Sequence, residues 1–150
     1  MSNIKAIENK ISSARKYSAI LKRYRGFAKE KICNSTDIRG AVERYLYLEA
    51  QAVIDLAEAV IAHNDFRKPA TMSEAFYILN EEKLIPDKLT EKLVRMVGFR
   101  NVLAHDYEDI DYDIVYTVLQ KGLNDIESFL KIISKELNVT SSEKKIGKKN

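Results

Sequence analysis

The chain has 150 residues, 45% hydrophobic and 31% charged, with 5 glycines, 2 prolines, one cysteine and a formal net charge of +3. That length suits one domain with a real core, the scarcity of Gly and Pro favours long helices, and the lone Cys33 excludes an intramolecular disulfide or a thiolate zinc cluster. No apolar run approaches membrane-spanning length and the first residues lack the apolar centre of a signal peptide, so a packed thiol in a reducing cytoplasm is expected.

The first predicted helix runs from Ile4 to about Ile32. Ile7, Ile11, Ala14, Tyr17, Leu21, Tyr24 and Ala28 recur at steps of three and four on one face, and Gly26 allows a bend. Residues 1–31 carry a net +7, which either steers a polyanion or acidic partner or forms a solvated face. Asn34-Ser35-Thr36-Asp37 then offers oxygens to cap a second helix, expected from about Asp37 to His63. Ile38, Val42, Tyr45, Leu48, Ala52, Leu56 and Val60 keep its periodicity, and Leu46, Val53, Ile54 and Ile61 widen the apolar sector beyond a stripe, as in a central helix or a dimer interface.

Thr71-Met72-Ser73-Glu74 has the spacing of a capping box and opens a short helix through Ala75, Phe76, Ile78 and Leu79. Pro86 suits the first turn of the next helix, which Leu89, Leu93, Met96 and Val97 carry into Gly98. The acids Glu108, Asp109, Asp111 and Asp113 read as charges at the start of a last helix, or less simply as a magnesium site. Val115, Val118, Leu119, Ile126, Phe129, Ile133 and Leu137 continue that helix. The expected architecture is all-α, a bundle of four long helices and one short one over residues 1–138. A Lys/Ser-rich tail at 139–150 is expected to be disordered.

Candidate chemistry concentrates in Gly98-Phe99-Arg100-Asn101-Val102-Leu103-Ala104-His105-Asp106-Tyr107, which holds one of the two histidines. On a continuous helix Asn101 and His105 stack, so the amide can orient the imidazole, while Arg100 and His105 stand about 140° apart. One helix thus makes a poor site, and a two-fold pair of chains would line a groove with two arginines and two histidines. Such groups suit metal-free phosphodiester cleavage. A histidine moves the ribose 2′-hydroxyl and 5′-oxygen protons, and an arginine holds the phosphate. The plainer alternatives are an imidazole at a helix C-terminus, Arg100 paired with Asp106 or Glu108, and Tyr107 as a packed ring. His63 reads as a helix cap, and Tyr17, Tyr24, Tyr45 and Tyr47 as core or interface rings, with base stacking as the alternative.

The same stretch, followed by Ile110-Asp111, resembles the signature of HEPN-domain proteins, and within them the HepT-like toxins: Arg, four to six residues, His, any residue, Tyr. Arg100, Asn101, His105 and Tyr107 coincide with it, and the resemblance extends from the first helix to about residue 137. It implies a HEPN-type bundle that is a homodimeric, metal-independent endoribonuclease toxin without a cofactor, with Arg100 and His105 catalytic and Asn101 supporting. It also implies a partner, an ATP-using MntA-like minimal nucleotidyltransferase antitoxin that transfers AMP to Tyr107. Two other classes stay open: a non-catalytic HEPN module that binds a nucleotidyltransferase or nucleotide, and a plain helical dimer serving as a scaffold.

Overall fold

The structure is a computed structural model that describes residues 2–105 and 110–149, with side chains described over 4–105 and 110–138. Its elements are α1 (Ser2–Lys22), α2 (Lys29–Asn34), α3 (Thr36–His63), α4 (Met72–Glu81), α5 (Asp87–His105) and α6 (Tyr112–Thr117). A π-helical turn (Val118–Gly122) then leads into α7 (Leu123–Lys149). No strand occurs among the described residues, and no helix is long and apolar enough to cross a membrane.

α3 is the centre of the bundle, packed against α1, α2, α4 and α5. Val42, Leu46, Val53, Ile54, Leu56, Val60 and Ile61 are all buried within the one chain, so its wide apolar sector belongs to a central helix and does not require a dimer. α1 lies along it through Ile7, Ile11, Ala14 and Leu21. Tyr17 packs on Tyr45 across that seam at 6.2 Å between ring centroids. From the other side Phe129 of α7 meets Phe76 of α4 edge to face, at 5.8 Å.

The caps are local and follow the sequence. Ser35 Oγ accepts from Ile38 N–H at the start of α3, and Thr71 Oγ1 accepts from Glu74 N–H at the start of α4. Glu74 reaches back one residue further than a capping box requires, to Ala70 N–H, where Arg67 also holds it. α3 and α4 both end in Schellman turns. Phe66 N–H bonds to Ile61 C=O and Leu84 N–H to Leu79 C=O, with Asp65 (φ 56°) and Lys83 (φ 62°) in the left-handed region. Pro86 stands just before α5 rather than in its first turn, its carbonyl accepting from both Thr90 N–H and Thr90 Oγ1.

The four long helices are present as α1, α3, α5 and the run from α6 into α7, and α4 is the expected short one. The first helix is a correction. It stops at Lys22 instead of continuing to Ile32, and a separate α2 follows. The reason lies in the last helical run. Gln120 Nε2 donates to Arg25 C=O at 2.7 Å and Tyr116 OH to Phe27 C=O at 3.3 Å, while Arg25 donates to Leu119 C=O and Asn124 Oδ1. Carbonyls that a continuing helix would pair with its own N–H groups are satisfied from the other side of the bundle. The backbone of α7 continues as helix to Lys149, while the side chains of the tail expected at 139–150 lie outside the described ones.

Candidate functional site

α5 delivers the candidate residues. Leu89, Leu93, Val97 and Leu103 bury one side of it, which turns Gly98, Asn101, Val102 and His105 outward and leaves Arg100 half-buried at the edge facing α3.

Arg100 is fixed by three neutral acceptors. Its Nε donates to Gln51 Oε1 at 2.9 Å, Nη2 to Tyr47 OH at 3.1 Å and Nη1 to Asn101 Oδ1 at 3.1 Å. Its guanidinium carbon also lies 5.1 Å from the centroid of the Tyr47 ring. Gln51 is itself held, since its Nε2 donates to Asp55 Oδ1 at 2.8 Å, and Asp55 Oδ2 pairs with Lys10 Nζ of α1 at 3.3 Å. A line of polar contacts therefore runs from α1 through α3 to the guanidinium on α5. A guanidinium has five N–H groups, and three are used here, leaving one on each terminal nitrogen. Among the described residues no carboxylate pairs with it. Among the described residues it is a firmly held cation without a counter-charge and with donors to spare, which is what a phosphate requires.

His105 closes α5 and is exposed, and among the described residues its imidazole has no hydrogen-bond partner. The expected Asn101–His105 contact is absent: the Asn101 amide oxygen faces Arg100 instead. The neighbouring guanidinium offers the amide oxygen a charged donor, and a charge-assisted hydrogen bond is the stronger one. Tyr107 lies outside the described residues, as do Asp106 and Glu108, the alternative partners for Arg100.

Beside these residues opens a groove of about 440 Å³, lined by Arg39, Glu43, Arg44 and Tyr47 of α3 and by Leu103 and Ala104 of α5. Arg39 and Glu43 satisfy each other at 3.3 Å, and both engage Tyr112, whose ring lies 4.3 Å from the Arg39 guanidinium carbon and whose hydroxyl donates to Glu43. Burial first, and then that bond to Glu43, push the Tyr112 hydroxyl well above its ordinary range, so it remains a donor.

The other candidates fall elsewhere. His63 is the last residue of α3, twelve positions beyond Gln51 and so about 18 Å away along the helix. Asp111 caps α6 through Asp113 N–H, and Asp113 pairs with Lys29, so these two acids serve a helix start; Glu108 and Asp109 lie outside the described residues. Tyr17, Tyr24 and Tyr45 pack with neighbouring rings or the core, while Tyr47 belongs to the site. Gln51 and Asp55 were not foreseen. The available signal was polar residues at i, i+4 and i+8 (Tyr47, Gln51, Asp55) on an otherwise apolar helix.

Residues 14–133 match the family model described as "HepT-like: Ribonuclease HepT-like". The chain is 35% identical over 86 residues to an mRNA nuclease HepT of Shewanella oneidensis, a match covering 57% of this chain and 65%, just under two thirds, of that protein. It is 26% identical over 145 residues to a tRNA nuclease HepT of Aphanizomenon flos-aquae, covering 95% of this chain and 99% of that one. Its fold resembles a tri-AMPylated Shewanella oneidensis HEPN toxin solved in complex with an MNT antitoxin, with a TM-score of 0.80 and 28% identity over 87% of this chain and 97% of that one.

Proposed function

The chain belongs to the HepT-like ribonuclease family, and from that premise we propose that it is a metal-independent endoribonuclease, the toxin of a toxin–antitoxin pair, acting through Arg100 and His105. The observation that carries this reading is the Arg100 guanidinium, immobilised by Gln51, Tyr47 and Asn101 and left without a carboxylate among the described residues.

In the proposed reaction His105 takes the proton of a ribose 2′-hydroxyl. The 2′-oxygen forms a bond to phosphorus, and the P–O5′ bond breaks as the 5′-oxygen leaves with a proton from an imidazolium. The products are a 2′,3′-cyclic phosphate and a 5′-hydroxyl. The free N–H groups of Arg100 stabilise the extra negative charge on the phosphoryl oxygens. A homodimer supplies the second acid–base group. Gly98, Val102 and His105 share an exposed face of α5 within an arc of about 60°, and a second chain seated there brings another imidazole to the same groove.

Neutralisation is proposed through Tyr107. An MntA-like nucleotidyltransferase joins the tyrosine oxygen to the α-phosphorus of ATP and releases pyrophosphate. The attached AMP, two residues from His105, brings a phosphate that competes with RNA for Arg100. Two neighbours support the pairing by their own descriptions, one as an AMPylated toxin bound to an antitoxin and one as a toxin–antitoxin with AMP-PNP.

The test is cleavage of single-stranded RNA in a buffer containing chelator. The wild-type protein is expected to release 2′,3′-cyclic ends, and His105→Ala to release none. RNA left intact by the wild-type protein, with mass added on co-expression with a nucleotidyltransferase, would favour a non-catalytic binding module.

A further inference from the structure

We propose that Arg44 seats a second phosphate of the same RNA strand, next to the one at Arg100, with Tyr47 as the shared support. This rests on the ribonuclease reading and extends it, because it makes the substrate an oligonucleotide held at two successive phosphates.

The two cations share one ring. The guanidinium carbon of Arg44 lies 5.9 Å from the Tyr47 centroid and that of Arg100 lies 5.1 Å from it. Like charges gathered on one side chain repel each other, and the electron-rich ring face offsets only part of that cost. Elsewhere in the same groove the chain compensates such a charge: Arg39, five residues before Arg44, is paired with Glu43. Arg44 has only the ring among the described residues and is exposed, with all five N–H groups unassigned. Two guanidinium groups at the edge of one groove, neither paired with a carboxylate among the described residues, call for a polyanion whose charges repeat along a chain. Arg44, Tyr47 and Gln51 follow one another at i, i+3 and i+7 on α3, so the helix sets the spacing from Arg44 to the acceptors that fix Arg100.

The test uses the full chain and a fluorescein-labelled single-stranded oligoribonucleotide made uncleavable by 2′-O-methyl groups. Its binding is followed by anisotropy over a salt series. Arg44→Gln is expected to weaken binding about tenfold and to reduce the slope of log K against log salt by about 0.7, the share of one phosphate on a single strand. Arg44→Lys is expected to keep the slope. Lys88→Gln, the same loss of charge at the far end of α5, controls for net charge. In cleavage, Arg44→Gln is expected to raise KM for an oligoribonucleotide with kcat kept, and to leave a dinucleoside monophosphate, which has one phosphate, unaffected. Binding by Arg44→Gln no weaker than by Lys88→Gln, or a loss of kcat on the dinucleotide, overturns the proposal. If the wild-type protein cuts no RNA while Arg44→Gln still loses binding and slope, the cleavage reading falls and the phosphate seat stands.

Discussion

Gln51 accepts the Nε–H of Arg100 at 2.9 Å, and this bond couples the central helix to the residue on which the proposed chemistry depends. Gln51 makes no hydrogen bond to His105. Its role is to hold the guanidinium at a fixed angle, and Asp55 in turn holds Gln51.

Gln51→Ala therefore tests positioning. Freeing Nε lets the guanidinium swing about its long stem, and small misplacements of a charge stabiliser cost about 100-fold in rate. We expect kcat on a dinucleoside monophosphate to fall about 10- to 100-fold. The accompanying loss of stability should be about 1.5–3 kcal/mol, the range for one hydrogen bond to a charged group. An unchanged kcat would show that Tyr47 and Asn101 suffice.

Arg100→Lys is not conservative at this place. Three acceptors on different sides each take one N–H of a planar fork, and an ammonium cannot reach all of them from one point. Cleavage is expected to fall as far in Arg100→Lys as in Arg100→Ala, assayed on single-stranded RNA. Retention of most activity by the lysine variant would mean that charge alone is required.

Glu49 predicts how stability depends on pH. It is 1% exposed in the seam between α1 and α3, where Ser18 Oγ donates to its Oε2 and its Oε1 has no hydrogen-bond partner. Burial pushes its carboxyl up to about 8 from an ordinary 4.5, the Ser18 hydroxyl opposing in part. The folded chain then keeps a proton that the unfolded chain loses. The contribution of Glu49 is fully present below pH 4.5 and is lost as pH rises towards about 8, by at most about 1.4 kcal/mol per pH unit. Urea midpoints across that window are expected to fall in the wild-type protein and to fall less in Glu49→Gln. Parallel curves would show that Glu49 does not govern this slope.

Lys83 occupies the left-handed position that ends α4, with φ 62°. A Cβ there carries a strain of about 1–2 kcal/mol that glycine avoids, offset in part by the greater freedom of glycine in the unfolded chain. Lys83→Gly is expected to stabilise the fold by about 0.5–1 kcal/mol in denaturant titration, with cleavage unchanged. A lower midpoint would mean that the lysine side chain contributes more than its backbone costs.

Local information in the sequence was enough for the helical faces, for every long helix but the end of the first, and for the candidate stretch. Steps of three and four place Ile7, Ile11 and Ala14 or Leu89 and Leu93 on buried faces whatever else surrounds them, and Ser35 and Thr71 cap helices with N–H groups three residues away. Arg100 and His105 stand out for the same reason, since the spacing of their motif lies within one helix. Tertiary structure alone decided what those residues face. Two of the three acceptors of Arg100 come from positions 49 and 53 residues earlier in the chain, and Arg25 finds Leu119 across a separation of 94. No periodicity encodes which polar side chains of two helices meet, because that depends on how the helices cross and rotate once their apolar faces are buried. The break after Lys22, the turn of Asn101 towards Arg100 and the burial of Glu49 against Ser18 are all consequences of that packing.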